Sequence, residues 1–502
     1  MKRTTILYCS LFAGLVLAVA ACKKSFLEAK PEGTTLEDDY YQTPDEAFAG
    51  LVAAYNPLSW TVVSSYAPKM VLLSLASDEC HAGGGSNSDN PGMQAWDTYT
   101  LAAATPNVPP DLWSRNFTGI ARVNTMLAKL GDVPGLSDDL KTRYTAEMQF
   151  LRAYYYFDLV REFGNVPLIT TELSQSQWFT QVQAKPADIY AQIEKDLNAA
   201  IPNLPATVDA ATEGGRVTKG AAQALLGKAI IYENNNSRMQ EAAADLEQVN
   251  TSPNYHLLPN YADIFDPGNK FNAESIFEIV HTNQAGKTWG NWPNFDGNVG
   301  VQMVGPRGYS GPTFESSAAG YGFCPVTMDL VNALKGDPRY AATIVNIDSM
   351  AKAGICKYNP GYNNTGYFIR KFAPLAAYQS TVGNIELNWR NDEIEIRLAD
   401  TYLLEAEALV RGGGNLARAQ QLLDAVRARV GLASVPATLD NIYHERRLEL
   451  ATEGHRFFDL VRTGQAATVL ASKGFQANKN EVLPIPLAEL NNTKLVQNPG
   501  YN

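Results

Sequence analysis

The chain has 502 residues, with 41 Lys and Arg against 52 Asp and Glu and a formal net charge of −11. That acid surplus disfavours a nucleic-acid partner, because such binding draws on counterion release at basic surfaces. With 45% hydrophobic and 19% charged residues, the composition is that of a folded globular protein and excludes wholesale disorder.

Lys2 and Arg3 precede a mostly apolar run from Ile6 to Ala21, the pattern of an export signal. The run falls short of the roughly 20 apolar residues that a spanning helix needs. Val19-Ala20-Ala21-Cys22 resembles the bacterial lipobox, in which the peptidase cuts before a Cys that receives lipid. The expectation is a signal peptide over residues 1–21, lipidation at Cys22, and a lipid-anchored leader over 22–43 containing Pro31 and Gly33. Cys9 leaves with the signal, so Cys80, Cys324 and Cys356 remain beside the lipidated Cys22. They can form at most one disulfide, and the exported body must rely on its core.

The fold class reads as mainly α. Residues 44–250 form an N-terminal helical scaffold: apolar stripes at three- and four-residue steps run from Asp111 to Leu130, Tyr144 to Phe163 and Asp188 to Ile201. Thr218 to Glu233 carries small residues (Gly220, Ala221, Ala224, Gly227) that let a neighbouring helix come close, and Met239 to Val249 is its hairpin partner. Residues 251–390 crowd Gly, Pro, Asn and aromatics without a sustained period and read as a long loop-rich, ligand-binding insertion, with Ser275 to His281 as a short strand. Residues 391–502 return to helix over Glu393 to Val410, Asn415 to Val430 and Ile442 to Ala471. The hairpins are tetratricopeptide-like, although no strict 34-residue period is visible. Residues 44–502 are expected to make one compact unit.

Catalytic and metal motifs find little support. None of the five His forms the helical two-His zinc motif, and no Cys-x-x-Cys pair exists. Gly83-Gly84-Gly85 lacks the Gly-Lys-Ser/Thr ending of a phosphate loop and reads as a mobile surface loop, and Gly308-Tyr309-Ser310-Gly311-Pro312 is out of register for a nucleophile elbow. Asp78-Glu79 reads as solvated acids or a hard-cation site, and Asp392, Glu393 and Glu395 as helix N-terminal acids. The charges from Arg446 to Arg462 recur at helical steps, which suits either an ion-pair network between helices or separate solvated groups. No catalytic residue, metal ligand or cofactor is assigned.

Binding has the better physical basis. Sugar rings offer apolar C–H faces that stack on Trp and Tyr, while their hydroxyls need amides and acids nearby. Trp289-Gly290-Asn291-Trp292-Pro293-Asn294 supplies two aromatics, two amides and Gly and Pro in a loop, which makes Trp289, Asn291 and Trp292 the first candidates. Trp96 is the second, with Tyr309, Tyr321 and Trp389 as additions; for each ring, burial as a loop anchor is the competing assignment. Trp113, Tyr154, Tyr155 and Tyr156 lie on helical stripes and are expected in the core.

Four strings in order carry a family resemblance. They are Phe150-Leu151-Arg152-Ala153-Tyr154-Tyr155-Tyr156-Phe157-Asp158-Leu159-Val160 with Phe163-Gly164-Asn165-Val166-Pro167-Leu168; Arg397-Leu398-Ala399-Asp400-Thr401-Tyr402-Leu403-Leu404-Glu405-Ala406-Glu407-Ala408; Glu445-Arg446-Arg447-Leu448-Glu449-Leu450 with Glu453-Gly454-His455-Arg456-Phe457-Phe458-Asp459-Leu460; and Pro484-Ile485-Pro486 with the terminal Gln497-Asn498-Pro499-Gly500-Tyr501. Together they resemble the SusD/RagB family of nutrient-binding outer-membrane lipoproteins. The resemblance implies four tetratricopeptide-like units and a lipid anchor in the cell outer membrane facing the surface, with inward-facing anchoring as the alternative. It also implies an oligosaccharide ligand and a SusC-like TonB-dependent transporter as partner. A peptide-binding RagB-like role and, more remotely, a surface glycoside hydrolase are the other readings.

Overall fold

The computed structural model describes residues 40–61, 63, 68–312 and 320–501. The expected signal peptide, Cys22 and most of the leader therefore lie outside the described residues. Among these residues no helix is long and apolar enough to cross a membrane.

Helices α1 (Pro44–Tyr55), α2 (Lys69–Leu75) and α3 (Pro91–Asp97) lead into a stack of α4 (Val108–Lys129), α5 (Asp138–Phe163), α6 (Pro186–Ala200), α7 (Lys219–Glu233) and α8 (Met239–Asn250). Their ends follow local chemistry. Ser137 Oγ accepts from Leu140 N at the start of α5, Asp138 and Asp139 sit at the positive helix end, and Gly164 takes φ 70° past the last turn. Thr218 caps α7, and a Cβ on Gly227 would lie 2.6 Å from Leu246 Cγ of α8, so only glycine permits this approach.

Each helix of the stack packs on the next, and α8 then packs on α9 (Leu398–Arg411), which packs on α10 (Leu416–Arg429). The loop-rich segment is thus inserted into a continuous helical layer. It is tied back by the antiparallel pair β1 (Ser275–Ile279) and β4 (Glu393–Arg397), while β2 (Ile344–Asn346) pairs with β3 (Tyr367–Ile369) inside it. One hydrophobic cluster runs from Tyr41 to Ile485 and contains Trp113 and the Tyr154 to Tyr156 run, as the helical stripes predict.

The charged strings fold inward. Arg397 of β4 donates to Glu274, Glu449 and Glu453 at 2.9, 2.6 and 2.7 Å, and Arg339 donates to Glu445 and Glu449 at 2.6 and 2.8 Å, all through side chains enclosed by the fold. Arg446 on α11 (Leu439–Glu449) pairs with Asp400 at 2.7 Å and with Asp459 of α12 (Arg456–Arg462) at 2.9 Å. The network reading of these residues holds, and the solvated reading does not. Burial opposes ionisation of Asp400, but Lys228 and Arg446 outweigh it and hold the carboxyl well below its usual range. Burial, with Lys228 beside it, keeps His455 neutral down to about pH 3.

Four expectations are corrected. Glu393 to Arg397 is strand, not the first turn of a helix: Ile394 and Ile396 alternate against β1, so Glu393 and Glu395 are not N-terminal acids. Glu395 instead accepts from Lys69 Nζ and Tyr154 Oη at 2.9 and 2.6 Å, and Asp392 accepts from Lys270 at 2.6 Å. Ile442 to Ala471 is interrupted where Thr452 and Gly454 adopt φ 68° and 82°. Gly83 and Gly84 are buried instead of forming a surface loop; a Cβ on Gly83 would lie 2.2 Å from Gly322 O. Asp78 and Glu79 are neither solvated nor arranged for a cation, since Asp78 pairs with Arg456 and Arg447 at 2.8 and 2.9 Å inside the core.

Candidate functional site

The most open aromatic surface on the insertion is built by the loop from Thr282 to Asn298. Thr288 begins a single helical turn over Trp289–Asn291, with Asn291 Oδ1 accepting from Thr288 N at 2.8 Å. The turn sets Trp289 and Trp292 side by side, ring centroids 6.4 Å apart and planes inclined by 21°. They are 37% and 39% exposed. Phe295, buried beneath, meets both indoles edge-on at 6.3 and 5.7 Å, a favoured aromatic geometry that supports the pair from below.

A second segment holds this loop in place. Asn388 Nδ2 donates to Lys287 O at 2.8 Å and its Oδ1 accepts from Lys287 N at 3.1 Å, so one buried amide closes both backbone groups. Asn384 Oδ1 accepts from Trp289 N at 3.3 Å, and Glu386 Oε1 accepts from the Trp289 indole Nε1 at 3.2 Å. A Cβ on Gly297 would lie 2.4 Å from Leu387 O, so the two strands of the clamp can touch only because that residue is glycine. The result is an indole platform whose rings are oriented before any ligand arrives, which lowers the ordering cost of binding.

Beside the platform is a small hollow lined by Trp60, Asn56 and Pro293 to Asp296. Trp60 Nε1 donates to Asn56 Oδ1 at 3.0 Å, and the Arg122 guanidinium lies over its ring at 5.4 Å. Trp60 is far away in sequence and was not among the candidates. Its only sequence signal is a tryptophan stranded just past the end of α1, after Asn56-Pro57-Leu58-Ser59 has closed the helix.

The candidates separate cleanly. Trp289, Asn291 and Trp292 come together, although Asn291 spends its Oδ1 on the turn and keeps its Nδ2 for other contacts. Trp96 is corrected to core: it is 2% exposed on α3 and meets Phe457 at 6.1 Å, because Gly92, Met93 and Trp96 share one helix face. Tyr309 is likewise buried, packed with Ile347, Cys356 and Phe368 where Ser310 and Lys357 exchange backbone bonds at 2.9 and 2.8 Å. Trp389 is fully buried and donates to Gln302 Oε1 at 3.1 Å. Tyr321 is half-buried against Phe323 on the segment that pairs with Gly84 and lines neither the hollow nor the platform. Cys80, Cys324 and Cys356 are buried and form no disulfide. Among the described residues no three His, Cys, Asp or Glu are grouped to hold a metal ion.

Two family models match the chain: the SusD family over residues 261–501, and "Starch-binding associating with outer membrane" over residues 64–231. Among solved structures, a laminarin binding SusD-like protein is 47% identical, with TM-score 0.87 over 92% of this chain and 100% of that one. Surface glycan-binding protein A from Bacteroides thetaiotaomicron, in complex with laminarihexaose, is 30% identical, with TM-score 0.82 over 91% and 99%. SusD-like protein P25 of Formosa agariphila is 24% identical over 97% of each chain.

Proposed function

The chain belongs to the SusD family, and on that footing we propose that it is a lipid-anchored surface protein that captures a neutral oligosaccharide of the laminarin kind and hands it to a SusC-like TonB-dependent transporter. It binds glycan and associates with the outer membrane. No covalent step is involved. The observation that carries the reading is the pair of exposed, nearly parallel indoles on a clamped loop. Flat C–H faces of successive sugar rings fit such a surface. Glu386, Asn294 and the Lys287–Asp296 pair, joined at 3.1 Å, supply hydroxyl partners at its edges.

A shallow platform buries little ligand area, so affinity is modest and release to a partner is feasible. Delivery rests on family kinship, and anchoring on the sequence around Cys22. The direct test is retention of the purified protein by immobilised laminarin, starch and peptide mixtures, with reducing ends assayed in parallel. Retention by laminarin without new reducing ends is expected. Retention by peptides alone, or release of new reducing ends, would overturn the reading.

A further inference from the structure

A second and much larger recess is lined by residues of the helical scaffold and the C-terminal chain. It is an open groove of about 1290 Å³ between α4, the strap from Pro167 to Gln181 and the chain near Glu489 to Leu495. Its lining runs along α4 from Trp113 to Lys129, a rise of roughly 24 Å. The strap is fixed: Asn124 Nδ2 donates to Ile169 O at 3.0 Å, Arg152 to Thr170 O at 2.9 Å, and Tyr156 Oη to Ile169 O at 2.8 Å. The groove is therefore a built feature of the fold, not a gap between loose loops.

Its chemistry favours a neutral, hydroxyl-rich chain. Two basic residues (Arg122, Lys129) face two acidic ones (Glu172, Glu489), and the remaining polar lining is largely Ser, Thr and Gln. On the strap, Trp178 is 55% exposed; its indole Nε1 donates to Leu173 O at 3.3 Å, which fixes the ring edge and leaves a face open. The groove and the hollow beside the platform meet at one contact: Arg122 lines the groove and covers the ring of Trp60, and Trp60 lines the hollow with Pro293 to Asp296. Arg122 is itself pinned, donating to Ala53 O and Asn56 Oδ1 at 2.8 and 3.1 Å.

We infer that this groove is a second carbohydrate cleft, which takes the distal rings of a long neutral glycan whose other end lies on Trp289 and Trp292. The inference rests on the glycan reading above and assigns Trp178 as the stacking residue of the cleft. The test is calorimetric titration of the protein and of Trp178→Ala with laminarin and with a fragment of two or three rings. Laminarin should bind the native protein more tightly than the fragment. Trp178→Ala should weaken laminarin by about fivefold and leave the fragment unchanged. Equal laminarin affinity in the two proteins would overturn the inference, as would equal weakening of both ligands. Failure of the native protein to bind either glycan would instead overturn the parent reading, so the two failures are distinguishable.

Discussion

A tryptophan's role here depends on what its neighbours leave uncovered. Trp289 and Trp292 were legible as candidates because Gly290 and Pro293 interrupt any helical period around them, so no neighbouring turn can cover both rings. Trp96 looked similar, yet Pro91 and the Asn90 cap start a short helix that turns its ring inward beside Met93. For Tyr309 and Trp389 the competing assignment, burial, is the one realised: it depends on segments some fifty to ninety residues away, and no local pattern announces it. The Glu386 bond to the Trp289 indole gives one prediction at this scale. It is an exposed hydrogen bond to a charged group that orients the ring, so Glu386→Ala should weaken laminarin binding by about fivefold in a titration while lowering the thermal midpoint by no more than about 2 °C. An unchanged affinity would contradict a role for this bond in orienting the ring.

At the scale of elements, periodicity located the stacked helices, and caps and glycines located their ends. The strand β4 was hidden because five residues with two isoleucines read equally well as the opening of α9; only pairing with β1 decides it. The Glu445 to Arg462 string announced charges at helical spacing but not their burial, which requires the partner residues Glu274, Arg339 and Arg397 from the insertion and from β4. Glu449 joins three of these elements, accepting from Arg339, Arg397 and Arg429. Removing it leaves buried guanidinium groups uncompensated, and such losses cost about 3–5 kcal/mol. Glu449→Ala should therefore lower the denaturation midpoint sharply, whereas an exposed pair such as Lys352 with Asp348 should be nearly silent to truncation. A mild Glu449→Ala phenotype in urea unfolding would remove the network from the account of stability.

For the whole molecule, two sets of buried acids pull stability in opposite directions with pH. Burial, reinforced by Asp78, raises the Glu79 carboxyl to about 8, and burial with Asp158 nearby does the same for Glu162. Each is protonated in the fold at a pH where the unfolded chain has already released its proton, so stability is lost as pH rises from about 4.5 to about 8, at up to about 1.4 kcal/mol per pH unit for one proton. Glu449 and Asp459 are opposite: burial raises them, but their arginines more than compensate, and their stabilisation is lost as pH falls below the ordinary carboxylate range. Glu79→Gln should flatten the fall toward pH 8 in denaturation curves; an unaltered slope would contradict the assignment. The anchor is tested separately, since Cys22→Ser should abolish acyl labelling and release the protein from the membrane fraction. The central claim, that a wet pair of indoles grips the glycan, is tested most directly by titrating laminarin into Trp289→Ala/Trp292→Ala protein. The account predicts loss of binding by more than about tenfold with an unchanged circular dichroism spectrum, and undiminished laminarin binding by that well-folded double variant would contradict it.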